Sequence, residues 1–137
     1  MILTSNPVQE IFGDVKCPGD KSISQRILII GSLLNCDINV SGFLNANDPL
    51  STMAALNQIG ASINKDGDLV KIKKRSRPFN SPESSIDLGN SGTGIRLLTG
   101  LISGLNLKAT LIGDESLSQR PMLRVVNPLV KMGKKIS

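Results

Sequence analysis

The sequence predicts a mixed α/β (α+β) fold made of a repeated β-α-β-α-β-β unit, one copy complete and one truncated. Three observations predict it. Gly19–Arg26 (GDKSISQR) and Gly89–Arg96 (GNSGTGIR) both place six residues between a glycine and an arginine, at an offset of 70. Behind each arginine an apolar helical pattern gives way to an alternating, β-branched run. Ile59, Gly60 and Ile63 then fall on Met132, Gly133 and Ile136 at an offset of 73, so a unit of roughly seventy residues is used twice.

Residues 1–17 read as one or two short extended segments, punctuated by Pro7 and Gly13, with Val8, Ile11 and Val15 as the apolar positions. The first unit occupies residues 18–79. Its opening helix starts near Ser22, capped by Asp20 or Ser22, with Ile23, Ile27, Ile30 and Leu34 on one apolar face. Ile38 and Val40 alternate with polar residues as in a half-buried strand over Asp37–Ser41. Asn47 and Asp48 offer a cap, Pro49 suits the first helical position, and Leu50, Met53 and Leu56 carry a second helix to a stop at Gly60. Ala61–Lys65 and Leu69–Lys73, joined by a turn at Asp66 and Gly67, form a hairpin. A Ser/Pro/Asn linker follows over Pro78–Ser85.

The second unit, residues 80–137, opens with a strand at Ile86–Leu88 and a loop at Gly89–Thr93. A helix through Ile95, Leu98, Ile102 and Leu105 runs to about Gly104, and Leu107–Ile112 returns as a strand. Gly113–Pro121 leads into a last helix, which Pro128 either kinks or restarts. The offset of 73 sets Ser137 on Asn64, within the first strand of the hairpin, so the sequence reads as ending in mid-unit, with an unpaired strand edge near Lys134–Ser137.

At 137 residues the chain is long enough for a core, and with 39% apolar residues but only three Phe as aromatics that core is aliphatic. Lack of aromatic platforms argues against single-stranded nucleic acid as ligand. Sixteen basic against eleven acidic residues, a net charge of +5, suit an anionic partner without fixing its size. Histidine is absent, so acid–base chemistry falls to Lys, Asp or Glu. Cys17 and Cys36 lack motif spacing, no zinc set is apparent, and no run approaches a membrane span or a signal peptide; a reducing cytoplasm is the expected setting. The densest basic run, Lys71–Pro78, reads as a solvated edge or linker without a partner aromatic.

The chemistry concentrates at loop-to-helix junctions. Lys21, Ser22, Ser24 and Arg26 stand at the first, Asn90, Ser91, Thr93 and Arg96 at the second, and Gln119 and Arg120 before the last helix. Helix N-termini hold anions through free N–H groups and the helix dipole, and each charge-assisted hydrogen bond adds on the order of 1.5–3 kcal/mol. Several together suit a multiply charged metabolite. The small residues Gly89, Ser91, Gly92 and Gly94 permit close approach of a ligand to the backbone. No Walker spacing is present.

PGDKSISQR (18–26), LGNSGTGIRLLTGL (88–101) and GDESLSQRPM (113–122) closely resemble the 5-enolpyruvylshikimate-3-phosphate synthase family, and the similarity runs from about Val8 to Ile136. The resemblance implies a fold of two similar globules of three units each, the N-terminal strand belonging with the second. It also implies transfer of the enolpyruvyl group of phosphoenolpyruvate to the 5-hydroxyl of shikimate 3-phosphate, with release of phosphate, on the route to chorismate and aromatic amino acids. No metal or organic cofactor, no nucleic acid and no membrane are implied, and the full-length enzyme is expected to be a cytoplasmic monomer.

Carried over by position, Lys21 meets phosphoenolpyruvate and is the candidate catalytic proton donor, while Lys21, Ser22 and Arg26 match the shikimate 3-phosphate contacts. Gly92 matches the glycine beside phosphoenolpyruvate and the inhibitor glyphosate, where an added methyl is expected to enter ligand space. Arg120 matches the arginine that grips phosphoenolpyruvate; Asn90, Ser91, Thr93 and Arg96 shape the supporting loop. The family's main acid–base Asp and Glu lie outside these residues, so the chain by itself is expected to be inactive. UDP-N-acetylglucosamine enolpyruvyl transferase shares the fold, but GDKSIS and DESLSQRP favour the shikimate enzyme. A non-catalytic anion- or RNA-binding module, motivated by Lys71–Arg77, is the alternative of another class.

Overall fold

The computed structural model describes residues 2–136, so Met1 and Ser137, the end of the expected strand edge, lie outside it. In chain order the elements are α1 (Lys21–Leu33), β1 (Ile38–Val40), α2 (Asn47–Gln58), β2 (Ile63–Asp66), β3 (Leu69–Ile72), β4 (Ile86–Asp87), α3 (Gly92–Gly104), β5 (Leu111–Ile112), α4 (Glu115–Ser118) and α5 (Leu123–Lys131). β3 pairs antiparallel with β1 and β2, and β4 pairs parallel with β5. The mixed helix and strand class is therefore as the sequence predicts.

Several boundaries differ, each for a local reason. The hairpin register pairs Asp66 with Leu69, so its turn residues are Gly67 and Asp68, with Gly67 at φ +56°. β5 is shorter than Leu107–Ile112 because β4 offers it only two partners; Leu107, Ala109 and Leu111 nonetheless pack on the core. α2 begins at Asn47 after Ala46, which makes no side-chain cap, and Pro49 lies buried in its first turn, where a missing N–H costs nothing. α2 ends at Gly60 as expected: with φ +103° there, Gly60 N donates to Asn57 O and Ala61 N to Leu56 O. The same two bonds close α5, from Gly133 N to Val130 O and Lys134 N to Leu129 O, and Pro128 is accommodated inside that helix. Residues 2–17 pair with no strand among the described residues, and Val8, Ile11 and Val15 are exposed, so the expected extended segments carry no sheet contact.

The core is aliphatic, centred on Leu28, Leu56, Ile59, Val70, Ile72, Ile86, Leu88 and Leu98. One expectation is inverted. The Ile23, Ile27, Ile30, Leu34 stripe of α1 does not face it: Ile23 is 69% exposed, Ile30 54% and Leu34 46%. α1 buries Ser24, Gln25, Leu28, Gly31 and Ser32 instead. Close packing decides this, since a β-carbon on Gly31 would stand only 2.7 Å from Ile72 Cδ1, and small residues let α1 approach the sheet where isoleucines would hold it off.

Candidate anion-binding site

The starts of α1, α2 and α3 meet, and glycine makes the first approach possible. A β-carbon on Gly19 would run into the Gly42 carbonyl and lie 2.9 Å from Leu44 N. Beside that contact, Leu44 N donates to Ser24 Oγ (3.1 Å). Asp20 caps α1, its carboxylate accepting from Ile23 N at 2.7 Å. Lys21, the first residue of α1, reaches Asp48 on α2, with Nζ 2.9 Å from Oδ2. Arg26 lies one turn on, exposed, and its Nη1 donates to Ser22 O (3.1 Å).

Ser91 caps α3 and is fully buried; its Oγ accepts from Gly94 N (3.2 Å). The same oxygen accepts from Gln25 Nε2 of α1 at 2.9 Å. That amide also lies 3.0 Å from Thr52 Oγ1 and 3.3 Å from Asp48 O, both on α2. The two loops that the sequence sets 70 residues apart are thus joined at their helix starts.

Arg120 lies over Gly92, where a β-carbon would stand 2.5 Å from Arg120 Nη1. Its Nη2 donates to Asn90 Oδ1, and Asn90 Nδ2 donates to Asp114 Oδ2 at 2.7 Å. Asp114 in turn caps α4, accepting from Leu117 N (2.7 Å). The hydrogen bonds from Asn90 and Leu117, with the Arg120 charge nearby, hold the Asp114 carboxyl below its ordinary value. Arg96 Nη2 points at Pro121 O (3.4 Å), and Thr93 is half-buried in the first turn of α3.

Lys21 and Ser91 belong to one network through Asp48 and Gln25, and Asn90 and Arg120, which lies over Gly92, belong to a second that adjoins it along the chain at Asn90–Ser91. Ser22 and Arg26 extend along α1 without a bond to the second loop. The methyl expected to enter ligand space from Gly92 would first meet the Arg120 guanidinium. Sequence reasoning missed Asp48, Thr52, Gln25 and Asp114. Asp114 was findable, since Asp before Glu-Ser-Leu is a cap signal; Gln25 within the small-residue stripe of α1 had no local signal. Among the described residues no three His, Cys, Asp or Glu side chains are grouped to hold a metal, and no helix is long and apolar enough to cross a membrane.

Two cations of the basic run, Lys73 and Arg75, are engaged within the fold, while Lys71, Lys74 and Arg77 are exposed. Asp37 accepts from Lys73 Nζ (3.0 Å) and from Lys74 N (2.7 Å), and those bonds, the backbone one foremost, lower its pKa. Arg75 donates to Ser32 O (2.9 Å) and lies 4.1 Å above the Phe79 ring, so the run does have a partner aromatic, one that clips it to the fold.

Two 13-residue helices bonded together at their starts, with Lys21 on one and Arg120 over the first residue of the other, define a mixed α/β domain that gathers cations at helix N-termini. The chain belongs to the EPSP synthase (3-phosphoshikimate 1-carboxyvinyltransferase) family, which matches residues 5–137. It is 44% identical over 135 residues to the 3-phosphoshikimate 1-carboxyvinyltransferase of Citrifermentans bemidjiense, covering 98% of this chain and 32% of that one. The enzyme of the same name from Ruthia magnifica is 47% identical over 128 residues, covering 93% and 29%. A solved EPSP synthase from Acinetobacter baumannii superimposes with a TM-score of 0.84 at 38% identity, over 91% of this chain and 28% of its own. The chain thus spans about 30% of the length of these relatives.

Proposed function

We propose that this chain carries the anion-gripping loops of an enolpyruvyl transferase that moves the enolpyruvyl group of phosphoenolpyruvate to the 5-hydroxyl of shikimate 3-phosphate and releases phosphate. The observation that carries the reading is the cluster in which Arg120 covers Gly92 while Lys21 stands at the neighbouring helix start. Arg120 and Lys21 take the carboxylate and phosphate of phosphoenolpyruvate, with Lys21 as proton donor. Ser22 and Arg26 take the phosphate of shikimate 3-phosphate; Asn90, Ser91, Thr93 and Arg96 shape the loop between them. The relatives' activity belongs to chains of which this one spans about 30%. The complete enzyme works as a cytoplasmic monomer on two small molecules, with no metal, organic cofactor or nucleic acid.

A nucleic-acid reading is weakened because Lys73 and Arg75 are already engaged within the fold. Calorimetric titration at low and moderate salt tests the choice. Shikimate 3-phosphate is expected to bind and shikimate not to; an RNA oligomer bound more tightly than shikimate 3-phosphate, with steep loss as salt rises, overturns the proposal.

A further inference from the structure

Gln25 is a fully buried amide on a helix whose Ile23 and Ile30 are exposed. Its Nε2 bonds to both other helix starts, through Ser91 Oγ on the α3 side and Thr52 Oγ1 and Asp48 O on the α2 side. Its Oε1 is buried without a hydrogen-bond partner, so the amide is not there because it is the cheapest filling for the space. The space is also shaped around it: a β-carbon on Gly94 would stand 2.5 Å from Ser91 Oγ, 3.0 Å from Thr52 Oγ1 and 3.2 Å from Gln25 Nε2. Gly94 therefore leaves room for the amide to reach the α3 cap.

We propose that Gln25 is a positioning residue that fixes the first turn of α3 against those of α1 and α2, and so sets the separation between Lys21 on one junction and Gly92 with Arg120 on the other. It touches no ligand. It acts through Ser91, whose hydroxyl both caps α3 and receives the amide, and through Asp48, whose carbonyl faces the amide while its carboxylate holds Lys21. A multiply charged ligand gripped from both junctions depends on that separation, because preorganised donors do not have to move on binding. The ligand part of this inference rests on the function proposed above; the positioning part does not.

The test is residue-resolved amide exchange in the whole chain, with Gln25→Leu, which keeps the bulk and removes the donor. Exchange at Gly94 and Ile95, whose amides bond to Ser91, is expected to speed by about tenfold or more while Ile63, Val70 and Ile72 in the hairpin keep their rates. Phosphoenolpyruvate affinity should fall by about tenfold in the same variant. If Gln25→Leu does not fold, Thr52→Val, which removes one acceptor at constant shape, should reproduce the selective pattern more weakly. Uniform acceleration across hairpin and α3 start, or none at either, overturns the proposal. Wild-type chain that does not bind phosphoenolpyruvate, with the selective exchange pattern intact, would sink the functional reading and leave the positioning role standing.

Discussion

Arg120 lies across Gly92 so closely that a β-carbon on Gly92 would stand 2.5 Å from its Nη1. Gly92→Ala must therefore push the guanidinium aside and disturb its bond to Asn90. The tip is flexible, so stability should hardly change. Phosphoenolpyruvate should bind more weakly, by up to about 1.5–3 kcal/mol if one charged contact is lost, with shikimate 3-phosphate nearly unaffected. Calorimetry with both ligands decides this, and equal losses would detach Gly92 from the phosphoenolpyruvate pocket.

Arg26→Ala should give the opposite selectivity. Arg26 is exposed and, among the described residues, its side chain bonds only within its own helix turn, so its removal leaves the fold alone. Shikimate 3-phosphate should lose roughly 1.5–3 kcal/mol and phosphoenolpyruvate little. The reverse pattern in paired dissociation constants would reassign the first loop.

Acid should loosen the Arg120 clamp. The folded-state pKa of Asp114 is depressed, chiefly by the Asn90 hydrogen bond, so its contribution is complete above the unfolded aspartate pKa of about 3.9 and is lost as pH falls through the lower folded value. Carbon-detected NMR should find its midpoint below the ordinary value. Asn90→Ala should raise that midpoint; an unmoved midpoint would show that Asn90 does not hold the carboxylate.

Two glycines should respond oppositely to alanine. At Gly19 the new β-carbon collides with backbone at Gly42, which cannot swing away, so a loss of roughly 1–3 kcal/mol or more is expected. At Gly100, within α3, nothing lies within 4 Å of the added carbon, and a gain of about 0.5–1 kcal/mol follows from helix propensity. Denaturant midpoints would show it.

What was legible in the sequence was what local chemistry fixes. The Asp20 cap, one of the two the sequence offers, and the Gly60 stop are written in one or two residues each, and the structure has them there. α3 instead opens at Gly92, inside the stretch the sequence reads as loop to Thr93, because Ser91 caps it. The face of α1 was not legible, because hydrophobic periodicity assumes that apolar residues go inward, while Gly31 and Ser24 mark the side that can approach another backbone closely. The cluster was half legible: the cations stood at the junctions, but the partners that hold them, Asp48, Gln25 and Asp114, come from elsewhere in the chain. Only tertiary contact shows them together.

The most direct test of the central claim is a nitrogen–proton NMR titration of this chain with shikimate 3-phosphate and then phosphoenolpyruvate. Shifts confined to Lys21–Arg26, Gly89–Arg96 and Arg120, present for shikimate 3-phosphate and absent for shikimate, are the predicted result. Shifts centred on Lys71–Arg77, or the same response to shikimate with and without its phosphate, would contradict it.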